Sequence, residues 1–139
     1  FRNGLAEAKV KYFDQTLETI VELSKRHDLY IVTNGVTETQ KRRLNQTPLH
    51  KYIKKIFISE ETGYQKPNPE FFNYVFNDIG EDERQHSIIV GDSLTSDILG
   101  GINAGIATCW FNFRGFDHNP GIIPDYEINS WKQLNDIVR

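Results

Sequence analysis

From about residue 14 to its end, the chain alternates short apolar runs with stretches of helical period. Leu29-Tyr30-Ile31-Val32-Thr33, Lys55-Ile56-Phe57-Ile58, Ser87-Ile88-Ile89-Val90 and Ile106 to Phe111 read as strands, with a shorter one near Tyr126-Glu127-Ile128. Helical patterns lie between them. The first runs from about Gln15 to Arg26, with Asp14 available as a cap and Leu17, Ile20 and Val21 on one face. The second starts at Thr37, with Gln40 three residues on in a capping-box pattern. Asn68-Pro69 opens the third, which carries a Phe71, Val75, Ile79 stripe and stops at Gly80. Another runs from about Thr95 to Ala104 and stops at Gly105, and a last one from about Trp131 to Val138. Strands that are apolar throughout are buried on both faces, so the pattern predicts an α/β fold: a parallel sheet covered by helices on both faces. Gly100-Gly101 is poor helix material, which predicts that this helix packs closely on the sheet.

With 139 residues the chain is one domain of ordinary size, and 38% apolar and 12% aromatic residues suffice for a core. A net charge of −3 without blocks of like charge argues against a nucleic-acid partner and for small-molecule chemistry. No apolar run reaches the length of a membrane span and no signal-peptide pattern opens the sequence, so no membrane partner is expected. Cys109, the single cysteine, stands in an apolar run, cannot form an internal disulfide and reads as a buried, inert thiol suited to a reducing cytoplasm. The chain opens with Phe1-Arg2-Asn3 and holds no methionine, so it reads as a piece of something longer.

In open parallel sheets, ligands bind beyond the carboxyl ends of the strands. Three strand-to-helix junctions carry suitable chemistry. Thr33-Asn34-Gly35 offers a hydroxyl and backbone N–H groups to a phosphoryl oxygen. In Lys66-Pro67-Asn68-Pro69, Pro67 restricts the Lys66 backbone and stiffens the loop that aims its ammonium. Gly91-Asp92-Ser93-Leu94-Thr95-Ser96-Asp97 places one carboxylate at a strand end and a second in the first turn of the next helix. Both can reach one spot, as a hard cation such as Mg²⁺ requires, next to helix-start N–H groups that favour phosphate. Each loop alone reads equally as an ordinary turn, an exposed lysine or a helix start; their order on three successive junctions is the specific signal.

These three loops resemble the second, third and fourth motifs of the haloacid dehalogenase superfamily. The likeness runs from about Asp14 to the end. Ile58-Ser59-Glu60-Glu61-Thr62-Gly63, the run Asp97 to Gly105 and Thr108-Cys109-Trp110 further resemble its bacterial pyrimidine 5′-nucleotidase branch. The resemblance implies a Rossmann-like core and Mg²⁺-dependent hydrolysis of a small phosphorylated metabolite through an aspartyl-phosphate. Thr33, Asn34 and Gly35 would bind the phosphoryl group, and Lys66 would neutralise the nucleophile and phosphate. Asp92 would ligate Mg²⁺; Asp97 would hold a metal-bound water or orient the site from behind.

The family's first motif, an Asp-x-Asp at a strand end, is absent from the chain. In the family it lies N-terminal to everything seen here, on a central strand between those ending at Thr33 and Gly91, and is followed by a helical cap. Residues 1–13 then read as the end of that cap and residues 14–139 as the C-terminal portion of the core. A missing central strand removes about five apolar side chains worth ~1.5–3 kcal/mol each. Their sum of about 10 kcal/mol rivals a domain's net stability, so the piece alone is expected to be neither stably folded nor catalytic. A dehalogenase, a sugar phosphomutase and a non-catalytic phosphate-binding module are the competing readings. The four histidines show no ligand spacing, Lys41-Arg42-Arg43 reads as a wet helix face, and Phe113, Arg114 and Phe116 read as loop packing before substrate contact.

Overall fold

The computed structural model describes residues 13–138, with side chains described from residue 16. The expected cap remnant, residues 1–13, lies outside the described residues apart from Phe13, which opens the first helix.

Helix α1 (Phe13–Ser24) precedes strand β1 (Tyr30–Thr33), helix α2 (Thr37–Asn45) and strand β2 (Lys55–Ile58). A one-turn helix α3 (Ser59–Thr62) and α4 (Pro69–Ile79) lead to strand β3 (Ile88–Gly91). Helix α5 (Leu99–Ala104), strand β4 (Ala107–Phe111), strand β5 (Tyr126–Ile128) and helix α6 (Leu134–Ile137) complete the order. Local chemistry sets several boundaries as expected. Asn68 caps α4, its side chain accepting from the Glu70 N–H, and Pro69 fills the first position, where no N–H is needed. The close packing expected at Gly100-Gly101 is present: a side chain at Gly100 would strike Phe72 of α4, and one at Gly101 would strike Ile89 of β3 and Thr108 of β4.

Helix α2 begins at Thr37 as expected, but its cap and the start of the helix after β3 differ from the reading. Thr37 is not a cap: Val36 occupies that position and makes no side-chain cap bond. The Thr37 N–H instead donates to Glu60 Oε1 of α3, and the buried Gln40 side chain lies against Gly35. The helix after β3 begins with a wider turn, Leu94–Ile98, in which the Asp97 and Ile98 N–H groups both donate to the Ser93 carbonyl. Short 3₁₀ turns at Pro48–Tyr52 and Glu81–His86 lie where no element was predicted.

Among the described residues all ladder pairs are parallel, but they form two sheets, β1-β2 and β3-β4-β5. No ladder joins β1 to β3. A cavity of about 470 Å³ lies between them, with Val32 of β1, Ile89 and Val90 of β3, Ile20 of α1, and Val75 and Phe76 of α4 among its lining. The expected central strand belongs between the strands ending at Thr33 and Gly91, which is where the sheet is divided. Packing clusters lie on both sides, one including Ile20, Ile31, Val90, Cys109 and Trp131, the other Val32, Phe57, Phe71, Phe76 and Ile89.

Candidate functional site

The carboxyl end of the divided sheet collects the predicted residues. Thr33 ends β1, in register with Ile58 of β2, and is fully buried; its hydroxyl donates to the Asn34 carbonyl at 3.2 Å. Asn34 clamps the Lys66 backbone from both sides: Lys66 N–H donates to Asn34 Oδ1 at 2.9 Å, and Asn34 Nδ2 donates to the Lys66 carbonyl at 3.2 Å. The lysine loop is thereby tied to the end of β1 across 32 residues of sequence. The Lys66-Pro67 peptide is cis.

This clamp carries the Lys66 ammonium from the end of β1 toward the loop beyond β3. Nζ donates to the Val32 carbonyl of β1 at 3.0 Å and to Asp97 Oδ1, beyond β3, at 2.5 Å. The Lys66 and Asp97 side chains are 1% and 0% exposed, so the ion pair is dry. Asp97 Oδ2 in turn accepts from the Ser93 N–H, beside Asp92. Thr33, Lys66 and Asp92 thus meet at one end of the molecule through bonds to their immediate neighbours. Gly91 makes room for this, because a side chain there would collide with the Asp97 carboxyl.

Asp92 stands apart from that pair. Its backbone carbonyl accepts from Trp110 Nε1 of β4 at 3.1 Å, fixing the residue while its side chain keeps 11% exposure. Its Oδ2 lies 3.4 Å from Arg114 Nη2, in the loop after β4. Among the described residues, no group of three or more His, Cys, Asp or Glu is placed to hold a metal ion.

Three features escaped the sequence reading. The Gly35 N–H is engaged by Ser59 Oγ at 2.9 Å, so it braces the first loop rather than facing outward. Ser59 follows Ile58, the register partner of Thr33, and the strand alignment is the signal that could have found it. Arg114, read above as loop packing, reaches the site. Trp110, read as strand and as part of the likeness to the nucleotidase branch but given no role, supplies the donor that holds Asp92. Cys109 is buried as expected, and burial pushes its thiol from the ordinary 9.0 up to about 12.

A sequence profile of the haloacid dehalogenase-like hydrolase family matches residues 1–111. YfnB of Bacillus subtilis (strain 168), named for the same hydrolases, is 48% identical over 138 residues, 99% of this chain and 58% of its own length. The pyrimidine 5′-nucleotidase YjjG of Escherichia coli (strain K12) is 42% identical over 108 residues, 78% of this chain and 48% of its own. The crystal structure of YfnB bound to magnesium aligns with a TM-score of 0.87 at 48% identity, over 91% of this chain and 55% of that one. The chain spans about half the length of these relatives.

Proposed function

Because this chain belongs to the haloacid dehalogenase-like hydrolase family, we propose that it forms most of the core of a magnesium-dependent phosphate-monoester hydrolase whose nucleophile stands on a segment outside residues 1–139. The observation that carries the reading is the buried ammonium of Lys66, held between the ends of β1 and β3 at the mouth of the divided sheet. A dry ion pair is a poor source of stability, since desolvation offsets its attraction, and its place at strand ends where ligands bind fits a catalytic use.

Phosphoryl transfer needs positioning and charge neutralisation more than covalent help. The Thr33 hydroxyl and the start of the Asn34 loop receive phosphoryl oxygens. Lys66 neutralises charge on the nucleophile and the transferring group, and Asp97 fixes the direction of its ammonium. Asp92 is the carboxylate for Mg²⁺. The residues suit that ion: Mg²⁺ commonly takes one or two carboxylates and completes its shell with water and substrate phosphate. Asp92 is mostly buried yet reachable, and the Arg114 guanidinium 3.4 Å from its Oδ2 supports reading the carboxylate as a partner for a cation. Bound there, Mg²⁺ supplies positive charge against the phosphoryl oxygens.

The nucleophile is an Asp delivered by a strand inserted between β1 and β3, whose last residues would emerge beside Lys66. Attack on phosphorus forms an aspartyl-phosphate and releases the alcohol; hydrolysis then returns the carboxylate and inorganic phosphate. The apolar walls of the 470 Å³ cavity support this placement. Nucleoside 5′-monophosphates are the substrate class we favour, on the likeness to a pyrimidine 5′-nucleotidase.

The test is phosphate release from a panel of monoesters by a polypeptide that includes the proposed nucleophile segment, with Mg²⁺ and with EDTA. Turnover lost in EDTA is expected, with residues 1–139 alone inactive. Metal-independent release of halide from a haloacid, without phosphate release, would overturn the reading in favour of a dehalogenase.

A further inference from the structure

Resting on Asp92 as the cation ligand, we propose that Arg114 is a built-in counter-cation. It holds the Asp92 carboxylate until a divalent ion arrives, competes with that ion for Oδ2, and on release turns to the anionic group of the substrate.

The loop is built to present this guanidinium. Asn112, at the end of β4, grips Phe116 from both sides: its Nδ2 donates to the Phe116 carbonyl at 2.9 Å, and Phe116 N–H donates to its Oδ1 at 2.8 Å. Asn112 Nδ2 also donates to Glu127 Oε2 of β5 at 3.0 Å, which anchors the grip to the sheet. Gly115 closes the turn at φ +69°, a left-handed conformation that suits glycine, and donates to the Asn112 carbonyl at 3.3 Å. Arg114 sits at the tip, its guanidinium 4.6 Å from the Phe113 ring centre and 5.6 Å from that of Phe116. Aromatic faces hold a cation without neutralising it.

Exposure decides between a fixed and an exchangeable pair. The Arg114 side chain is 45% exposed, whereas Lys66 is 1% exposed. With its arginine half open to water and a separation of 3.4 Å, the pair is held weakly on the guanidinium side, so a divalent ion can displace that group. A guanidinium pairs with carboxylate and phosphate alike, so Arg114 remains a partner for a phosphate or other anion once Asp92 is taken.

The experiment is calorimetric titration of the metal-free complete polypeptide with MgCl₂, for wild type and for the Arg114→Gln, Arg114→Lys, Arg114→Ala and Asp92→Asn variants, alongside steady-state kinetics on a phosphate monoester. Arg114→Gln and Arg114→Ala are expected to tighten Mg²⁺ binding roughly three- to tenfold, since a competing charge is gone. Arg114→Lys stays near wild type. KM for the monoester rises several-fold in the neutral variants while kcat holds within about twofold. A purely structural arginine would give unchanged or weaker Mg²⁺ binding when removed, and that result in folded Arg114→Gln or Arg114→Ala overturns the inference. Asp92→Asn separates the two ideas. If it abolishes Mg²⁺ binding while the neutral Arg114 variants bind no tighter, only the role of Arg114 falls. If it binds Mg²⁺ like wild type, the cation assignment falls and the inference with it.

Discussion

Two ion pairs lie at the same end of the sheet, made from the same kinds of charge, in opposite surroundings. Lys66–Asp97 is dry, measures 2.5 Å and is tied to β1 through Val32. Arg114–Asp92 is longer, at 3.4 Å, and half open to water through its arginine. Burial makes the first pair costly to break, because either partner left alone is an uncompensated charge away from water. The second pair loses little when broken. In the function we propose, the fixed pair serves the framework that positions phosphate, and the loose pair lies where an ion comes and goes.

Substitutions sharpen that contrast. Lys66→Met leaves the Asp97 carboxylate buried without its cation and is expected to destabilise the complete polypeptide by about 3–5 kcal/mol. Arg114→Gln should cost less than about 1 kcal/mol. Denaturant midpoints check both, and equal costs would erase the distinction. Asp92→Asn is expected to spare the midpoint but to lower turnover roughly 10²–10³-fold, about 3–4 kcal/mol in the barrier. Turnover near wild type would remove Asp92 from the chemistry.

Gly91→Ala tests the geometry that joins the two pairs. A methyl group there drives into the Asp97 carboxyl, and overpacking of this kind costs about 1–3 kcal/mol. A neutral substitution would mean that Asp97 has room to move. The smallest effect concerns the thiol behind the site. Burial raises Cys109 from 9.0 to about 12, so the folded state keeps a proton that the unfolded state releases. Its contribution to stability is therefore complete below pH 9 and is lost as the pH climbs from 9 toward 12. Iodoacetamide at about pH 8 should label Cys109 only after unfolding in urea. Rapid labelling of the native protein would contradict its burial.

What the sequence made legible followed the range of the interaction. Asn68-Pro69 announces α4 because cap and proline act within one turn. Strand β2 matched its predicted span, Lys55–Ile58, because a bounded apolar run has one favourable placement in a parallel sheet. The Thr37 capping box failed because a rival acceptor for the Thr37 N–H, the Glu60 carboxylate, arrives from 23 residues away. The three site loops could be named from residue type and order, but not that Lys66 bonds Asp97 across 31 residues, since nothing local marks that pair. Arg114 was underestimated for the same reason: its meaning depends on Asp92, on a neighbouring strand. The divided sheet was legible through an omission, the lack of an Asp-x-Asp strand, and the cavity between β1 and β3 is its structural counterpart.

The central claim is that Thr33, Lys66 and Asp92 surround one phosphoryl group and one divalent ion. A crystal structure of the complete polypeptide with Mg²⁺ and vanadate, which mimics a phosphoryl group in transfer, tests it most directly. We expect Mg²⁺ at about 2.0–2.1 Å from an Asp92 oxygen, vanadate oxygens within hydrogen-bond reach of Thr33 Oγ1 and Lys66 Nζ, and Arg114 moved off Asp92. Vanadate and Mg²⁺ bound away from Thr33, Lys66 and Asp92 would contradict the account.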